Sequence, residues 1–182
     1  MTPIDPKLEA AIAALPLSNS HIIISAFTHV GADHLVGFTL AACCAMVENE
    51  SGGRMIWGAD PWNRGAYPRG EALSPVLHEQ PVTEENYHIY RARRNSGMQP
   101  QGCGITQLTS PSLQIEAEKA GGCWVPFYNC VIGFHFLRGL FVSHGSALGG
   151  FTAYNGSGPA ATAYAERAVS RTAQIQEQFN RA

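Results

Sequence analysis

Two carboxylates stand two positions apart where an almost uncharged run ends: TLAACCAMV (39–47), then ENESGG (48–53). A carboxyl beside an apolar wall loses solvation, which disfavours its charged form and raises its pKa. The negative end of a helix dipole pushes the same way, more modestly. A carboxyl raised in this way stays protonated near neutral pH and can act as a general acid. Periodicity separates the two acids weakly. Stepping back from Glu50 meets Met46, Cys43, Thr39 and Val36; stepping back from Glu48 meets Cys44, Ala41, Gly37 and His34. Position favours Glu50, at the very end of the run, where a core helix can open onto a cleft. Glu48 lies about 200° around the helix from it. For either residue, a plain surface position at a helix end is the default.

Other residue types offer less. His29 and His34 are out of phase for one helix face, and no HExxH or three-ligand cluster occurs, so no catalytic zinc or other metal is expected. The five cysteines (43, 44, 103, 123 and 130) are odd in number and contain no C-x-x-C, which argues against a disulfide framework or zinc knuckle. Cys43 and Cys44 read as core residues. Cys123 and Cys130 are able to pair if the protein meets an oxidising space. Cys103 with a histidine would suit a thiol amidase, but no cysteine-peptidase signature or clear base accompanies it.

The elements that must carry these residues are mostly helices. Residues 5–15 read as a short amphipathic helix, with Asp5 as cap and Pro6 at the first helical position. HIIISAF (21–27) suits strand by composition and helix by context. Residues 32–50 read as one long buried helix capped by Asp33 and stopped by Gly52–Gly53. Residues 52–81 read as a long loop, with room for a small sheet within 53–80. A helix restarts over 82–97; Thr83 with Asn86 lacks the usual capping-box residues, although Glu84 and Glu85 suit a first turn. Helices follow over 110–122 (Ser110 as cap, Pro111 at N1), 128–145, a short stretch within 147–158, and 159–179. The fold class expected is mainly α, a helical bundle around a buried central helix, with a long loop or small β region at 53–80.

The 182 residues suit one domain, and 45% hydrophobic with 14% charged residues supports a packed core. Net charge is −2 and no Lys/Arg stripe is present, so no nucleic-acid partner is expected. The densest basic cluster, RARR (91–94), reads as a solvated face. The N-terminus is interrupted by Asp5, Pro6, Lys7 and Glu9, unlike a signal peptide, and no run of about 18 apolar residues offers a membrane span. The expectation is a protein made in the cytoplasm, without a membrane partner or cofactor.

Four segments in order extend this reading: Glu50-Ser51 after the apolar run; GCGITQLT (102–109), with Gly104 to Gln107 as a G-x-x-Q turn; YNCVIG (128–133), with Asn129 to Gly133 as N-x-x-x-G; and Ala153-Tyr154-Asn155-Gly156 in FTAYNGSG. This ordered set resembles the goose-type lysozyme and soluble lytic transglycosylase superfamily over roughly residues 40–165. Within it, ESGGRMIWGADP and GCGITQLT look like catalytic domains of phage endolysins. The spacer from Glu50 to Gln107 is longer than in the transglycosylases proper, and 54–101 does not map onto them. The resemblance implies an α+β lysozyme-like domain over 32–182 behind an N-terminal helical extension, 1–31. It also implies a monomer acting on peptidoglycan glycan strands, reaching the wall through a holin pore after synthesis in the host cytoplasm.

The implied reaction is cleavage of the β-1,4 bond between N-acetylmuramic acid and N-acetylglucosamine, with Glu50 protonating the leaving oxygen. In a transglycosylase the muramic 6-hydroxyl attacks and an anhydro end results. In an inverting hydrolase a second carboxylate about 6.5–9.5 Å away activates water. Asp60, in WGADP, is the candidate for that carboxylate; it is equally suited to an Asx turn before Pro61. Around them, Ser51 belongs to the motif, Gln107 can bond an acetamido or hydroxyl group, Tyr154 can hold the acid's rotamer, and Asn155 can hold the turn or a sugar. Trp57, Trp62 and Tyr67 can stack on sugar faces, although core packing is the commoner role of an aromatic. Two other readings stay open: a catalytically weak wall-binding or virion module of the same fold, and the Cys103-dependent amidase.

Overall fold

The computed structural model describes residues 6–58, 80–97 and 99–182. Eight helices lie among them: α1 Pro6–Ala13, α2 Ser20–Val30, α3 Leu40–Glu50, α4 Glu84–Asn95, α5 Pro111–Ala120, α6 Pro126–His144, α7 Ala147–Asn155 and α8 Pro159–Arg181. The chain is thus mainly α, and the only β pairing among the described residues is in isolated bridges. Asp5, the expected cap of α1, lies outside the described residues. The ambiguous HIIISAF segment is helical, and Ile23, Ile24, Ala26 and Val30 of α2 are buried.

The long helix expected over 32–50 is shorter, because the chain first makes a tight reversal. Asp33 and Phe38 exchange both backbone hydrogen bonds, each 2.9 Å, around Gly37 at φ +78°. Thr39, not Asp33, is the cap: its Oγ1 accepts from the Ala42 amide at 3.2 Å. Asp33 instead faces Arg138 of α6 at 3.5 Å. From Leu40 to Val47 every residue is buried. A short helix that is apolar all round cannot sit on a surface, and α3 accordingly runs through the core.

α3 packs against α8, α6 lies between α2 and α7, and α8 also covers α7. One large apolar cluster joins Ile12 of α1, Ile23 and Ile24 of α2, residues 40–47 of α3, Phe134 and Phe141 of α6, Phe151 of α7 and Ala165 and Ala168 of α8. α1 and α2 therefore contribute to the same core as the helices after residue 32. A second, smaller cluster gathers Trp57, Val82, Tyr87, Tyr90, Cys103, Leu108, Ala117 and Cys123.

The β pairing expected within 53–80 reaches beyond that segment: Ile56 bridges Pro81 and Trp57 bridges Cys103. At the start of α4 a capping box does form, contrary to the sequence expectation. The Asn86 amide donates to Thr83 Oγ1 at 3.3 Å, and the Thr83 amide donates to Asn86 Oδ1 at 2.9 Å. The carboxamide oxygen of asparagine reaches the same backbone group as the longer glutamate would. Ser110 does not cap α5 with its side chain; its hydroxyl pairs with that of Ser112 at 2.8 Å.

The RARR cluster is not simply solvated. Arg94 is buried and donates to Gln114 Oε1, and both Arg91 and Arg94 face Glu118 of α5, at 3.0 and 3.5 Å. Burial alone would raise the Glu118 carboxyl; the Tyr87 hydroxyl and the two guanidiniums outweigh it and hold the group below its ordinary value. Cys123 does not approach Cys130 as a pair. Cys130 lies in the large cluster with Cys43 and Cys44, and Cys123 in the small one with Cys103.

Candidate active site

Glu50 is the last residue of α3 and is half-buried. The hydroxyl of Tyr164, from the buried face of α8, donates to its Oε1 at 2.5 Å. Burial, followed by the Glu50 charge and the hydrogen bond to it, pushes the Tyr164 phenol far above its usual range, so it stays a donor. Glu48 faces a different partner: Arg171 Nε, two turns further along α8, donates to both its oxygens at 3.1 and 2.9 Å. Glu48 is thus held by a guanidinium from α8, and Glu50 accepts from a phenol of the same helix.

The helix end is fastened to the glycine-rich turn at 102–109. The Ser51 hydroxyl donates to the Ile105 carbonyl at 2.7 Å and accepts from the Gly53 amide at 3.1 Å. Ser51 is buried, and both of these hydrogen bonds join it to backbone, tying the end of α3 to the turn. Gly53 is at φ +76°, and a Cβ there would overlap the Ser18 backbone, so the chain can leave α3 in this direction only with glycine.

The turn itself is locked onto α6. Asn129, fully buried, accepts at Oδ1 from the Thr106 amide and hydroxyl, both at 3.0 Å. Its Nδ2 donates to the Cys103 and Cys123 carbonyls at 3.0 and 3.3 Å. Gly104 is at φ +80°, and a Cβ on it would strike the Asn129 amide; a Cβ on Gly133 would strike the Thr106 side chain. The G-x-x-Q and N-x-x-x-G segments are thus two halves of one interlock. Gln107, a non-glycine residue at φ +48°, is held by its own side chain: Nε2 donates to the Ile56 and Gly104 carbonyls at 3.0 and 2.7 Å. Its Oε1 has no donor among the described residues and is left to accept from solvent or a ligand.

Tyr154 does not hold the acid directly, as the sequence suggested. Its hydroxyl donates to the Thr106 carbonyl at 2.5 Å, pinning the turn, while its ring lies against Phe136. Burial first, and the Glu50 charge second, push this phenol up as well, which places it in the acid's field. Asn155 ends α7 and is exposed. Trp57 cannot stack on a sugar: it is 2% exposed and packs on Tyr87 and Tyr90, with ring centroids at 6.2 and 4.8 Å. Asp60, Trp62 and Tyr67 lie outside the described residues.

The structure therefore brings Glu50, Ser51, Gln107 and Tyr154 to one place, from α3, the turn and α7, and adds Tyr164. Sequence reasoning missed Tyr164. Its signal is the inward stripe Ala161, Tyr164, Ala165, Ala168 of α8, which puts a phenol on a buried face. Cys103 is fully buried, and burial, reinforced by the neighbouring Cys123 thiol, raises its pKa well above the usual thiol value. Such a thiol is a poor nucleophile. No described group of three or more His, Cys, Asp or Glu could hold a metal ion, and no described helix is long and apolar enough to cross a membrane. No family model matches the chain, and no curated protein or solved structure matches it either.

Proposed function

We propose that the protein is a peptidoglycan-cleaving glycosidase that cuts the β-1,4 bond between N-acetylmuramic acid and N-acetylglucosamine, with Glu50 as general acid, and that it serves bacterial lysis. The observation that carries this reading is the setting of Glu50. It is a half-buried carboxyl at the end of a core helix, with one oxygen fixed by a buried phenol and the other acid of the pair neutralised by Arg171. Tyr164 donates to Oε1 and so holds the carboxyl in one orientation at the helix end. A positioned carboxylic acid in this arrangement contributes about 10²–10⁴-fold to bond cleavage.

Gln107 supports the reading as a polar arm on the turn beside the acid. Its Nε2 is committed to backbone, so it offers an acceptor, suited to an acetamido N–H or a sugar hydroxyl. Ser51 and Tyr154 act as positioning residues for helix end and turn. Asp60 remains the proposed second carboxylate for the hydrolytic route, and Trp62 a proposed sugar platform. The amidase reading loses support from the burial of Cys103.

The test is digestion of purified peptidoglycan, with released fragments identified by mass spectrometry. Reducing muramic ends support a hydrolase and direct attention to Asp60. Anhydro ends support a transglycosylase in which Glu50 also takes the proton of the attacking 6-hydroxyl. Intact glycans, with or without cut peptides, overturn the reading.

A further inference from the structure

Two of the five thiols are in contact. Cys103 and Cys123 are both fully buried, and their sulfurs lie 3.5 Å apart, across 20 residues of chain. The backbones around them are aligned independently of the sulfurs, because the single Nδ2 of Asn129 donates to both carbonyls, at 3.0 and 3.3 Å. Cys103 also bridges Trp57, and Gly104 and Gln107 of the candidate site follow directly in the chain. The remaining cysteines sit in the other apolar cluster.

We propose that Cys103 and Cys123 form a disulfide when the protein meets oxidising surroundings, a covalent latch that fixes the turn carrying Gln107 to the lead-in of α6. The chemistry requires a low-molecular-weight disulfide as oxidant. One cysteine thiolate attacks a sulfur of that disulfide, forming a mixed disulfide and releasing the first small thiolate. The second cysteine thiolate then attacks the protein-bound sulfur, closing the Cys103–Cys123 bond and releasing the second small thiolate. Two protein thiols lose two protons and two electrons, and one small disulfide becomes two thiols.

The burial of both sulfurs, and the raised pKa of Cys103, make attack from the closed native state slow, so the bond forms as the chain folds or locally opens. The sulfurs need approach by only about 1.5 Å to reach bonding distance. In reducing cytoplasm the pair stays open; outside it the latch closes. The assignment concerns thiol chemistry alone and does not depend on the proposed activity.

The experiment is refolding of the full chain in a glutathione/glutathione disulfide buffer and, in parallel, in dithiothreitol. Free thiols are then alkylated under denaturing conditions, and peptides are mapped by mass spectrometry. The expected result is a mass lower by about two hydrogens, one cross-link joining the peptides of Cys103 and Cys123, and three alkylated cysteines. The oxidised form melts roughly 6–12 °C higher, and the difference disappears on reduction. Cys103→Ala and Cys123→Ala each abolish both the cross-link and the redox dependence of Tm, and either one that folds suffices. A cross-link at Cys130, Cys43 or Cys44, or five free thiols in correctly refolded oxidised protein, overturns the proposal.

Discussion

Replacing Tyr164 by phenylalanine removes one oxygen and leaves the ring where it packs. The hydroxyl donates at 2.5 Å to Glu50 Oε1 from a residue 6% exposed, so the ring stays buried in the large cluster after the change. A hydrogen bond to a charged or ionisable carboxyl contributes about 1.5–3 kcal/mol. If that energy fixes the rotamer from which Glu50 donates its proton, its loss appears in the barrier, and kcat on peptidoglycan falls roughly 10–150-fold. KM stays within about two-fold, since a positioning interaction of this kind acts on the transition state and not on substrate binding. Global stability changes less: Glu50 is half-exposed and water can replace the phenol, so a net cost of about 1 kcal/mol lowers Tm by roughly 2–4 °C. The assay is initial-rate release of soluble glycan fragments beside a melting curve for each protein. A kcat within two-fold of the parent, or a fall that only tracks the unfolded fraction, would refute the reasoning.

Other expectations follow from the same contacts. Glu48→Gln breaks a partly exposed ion pair with Arg171, costs about 1 kcal/mol or less by denaturant titration, and leaves kcat unchanged; a large kcat loss would mean the two acids have been assigned the wrong way round. Asn129→Ala orphans the buried Thr106 amide and the Cys123 carbonyl, and leaves the Cys103 carbonyl with the Leu108 amide alone, so roughly 3–5 kcal/mol of stability should be lost; a cost under about 1 kcal/mol would contradict the interlock. Glu118 is held below the usual carboxyl value when folded, so its stabilisation is complete above the unfolded value near 4.5 and is lost as pH falls through the lower folded value. Glu118→Gln should therefore lower Tm at neutral pH and flatten its fall in acid, and parallel Tm–pH curves would contradict this.

Much of the helical order is visible in local sequence, because its signals are local. Pro111 and Pro159 open α5 and α8, and glycines follow the ends of α5, α6 and α7. The misplaced start of α3 shows the limit. An apolar run continues from Leu35 to Val47, and hydrophobicity alone does not distinguish a two-way backbone exchange between Asp33 and Phe38 from the first turns of a helix. Gly37 and Thr39 held the information, as a left-handed residue and a cap. At the site, Glu50 was legible from its position at the end of a charge-free helix. Its partner was not, since Tyr164 is 114 residues away and only tertiary packing of α8 on α3 brings them together. Trp57 was misread for a related reason: it is followed by a glycine-rich segment, but Tyr87 and Tyr90 enclose it from a distant helix.

The central claim is that Glu50 is the proton donor for glycan cleavage. The most direct measurement compares the parent protein with Glu50→Gln on purified peptidoglycan, scoring newly formed sugar ends by mass spectrometry and verifying that both proteins melt cooperatively. Glutamine keeps an oxygen to accept from Tyr164 but has no acidic proton to give. The account predicts new glycan ends with the parent and a loss of roughly 10²–10⁴-fold in the variant. Equal rates from the two proteins, or cut peptides beside intact glycan strands, would contradict it.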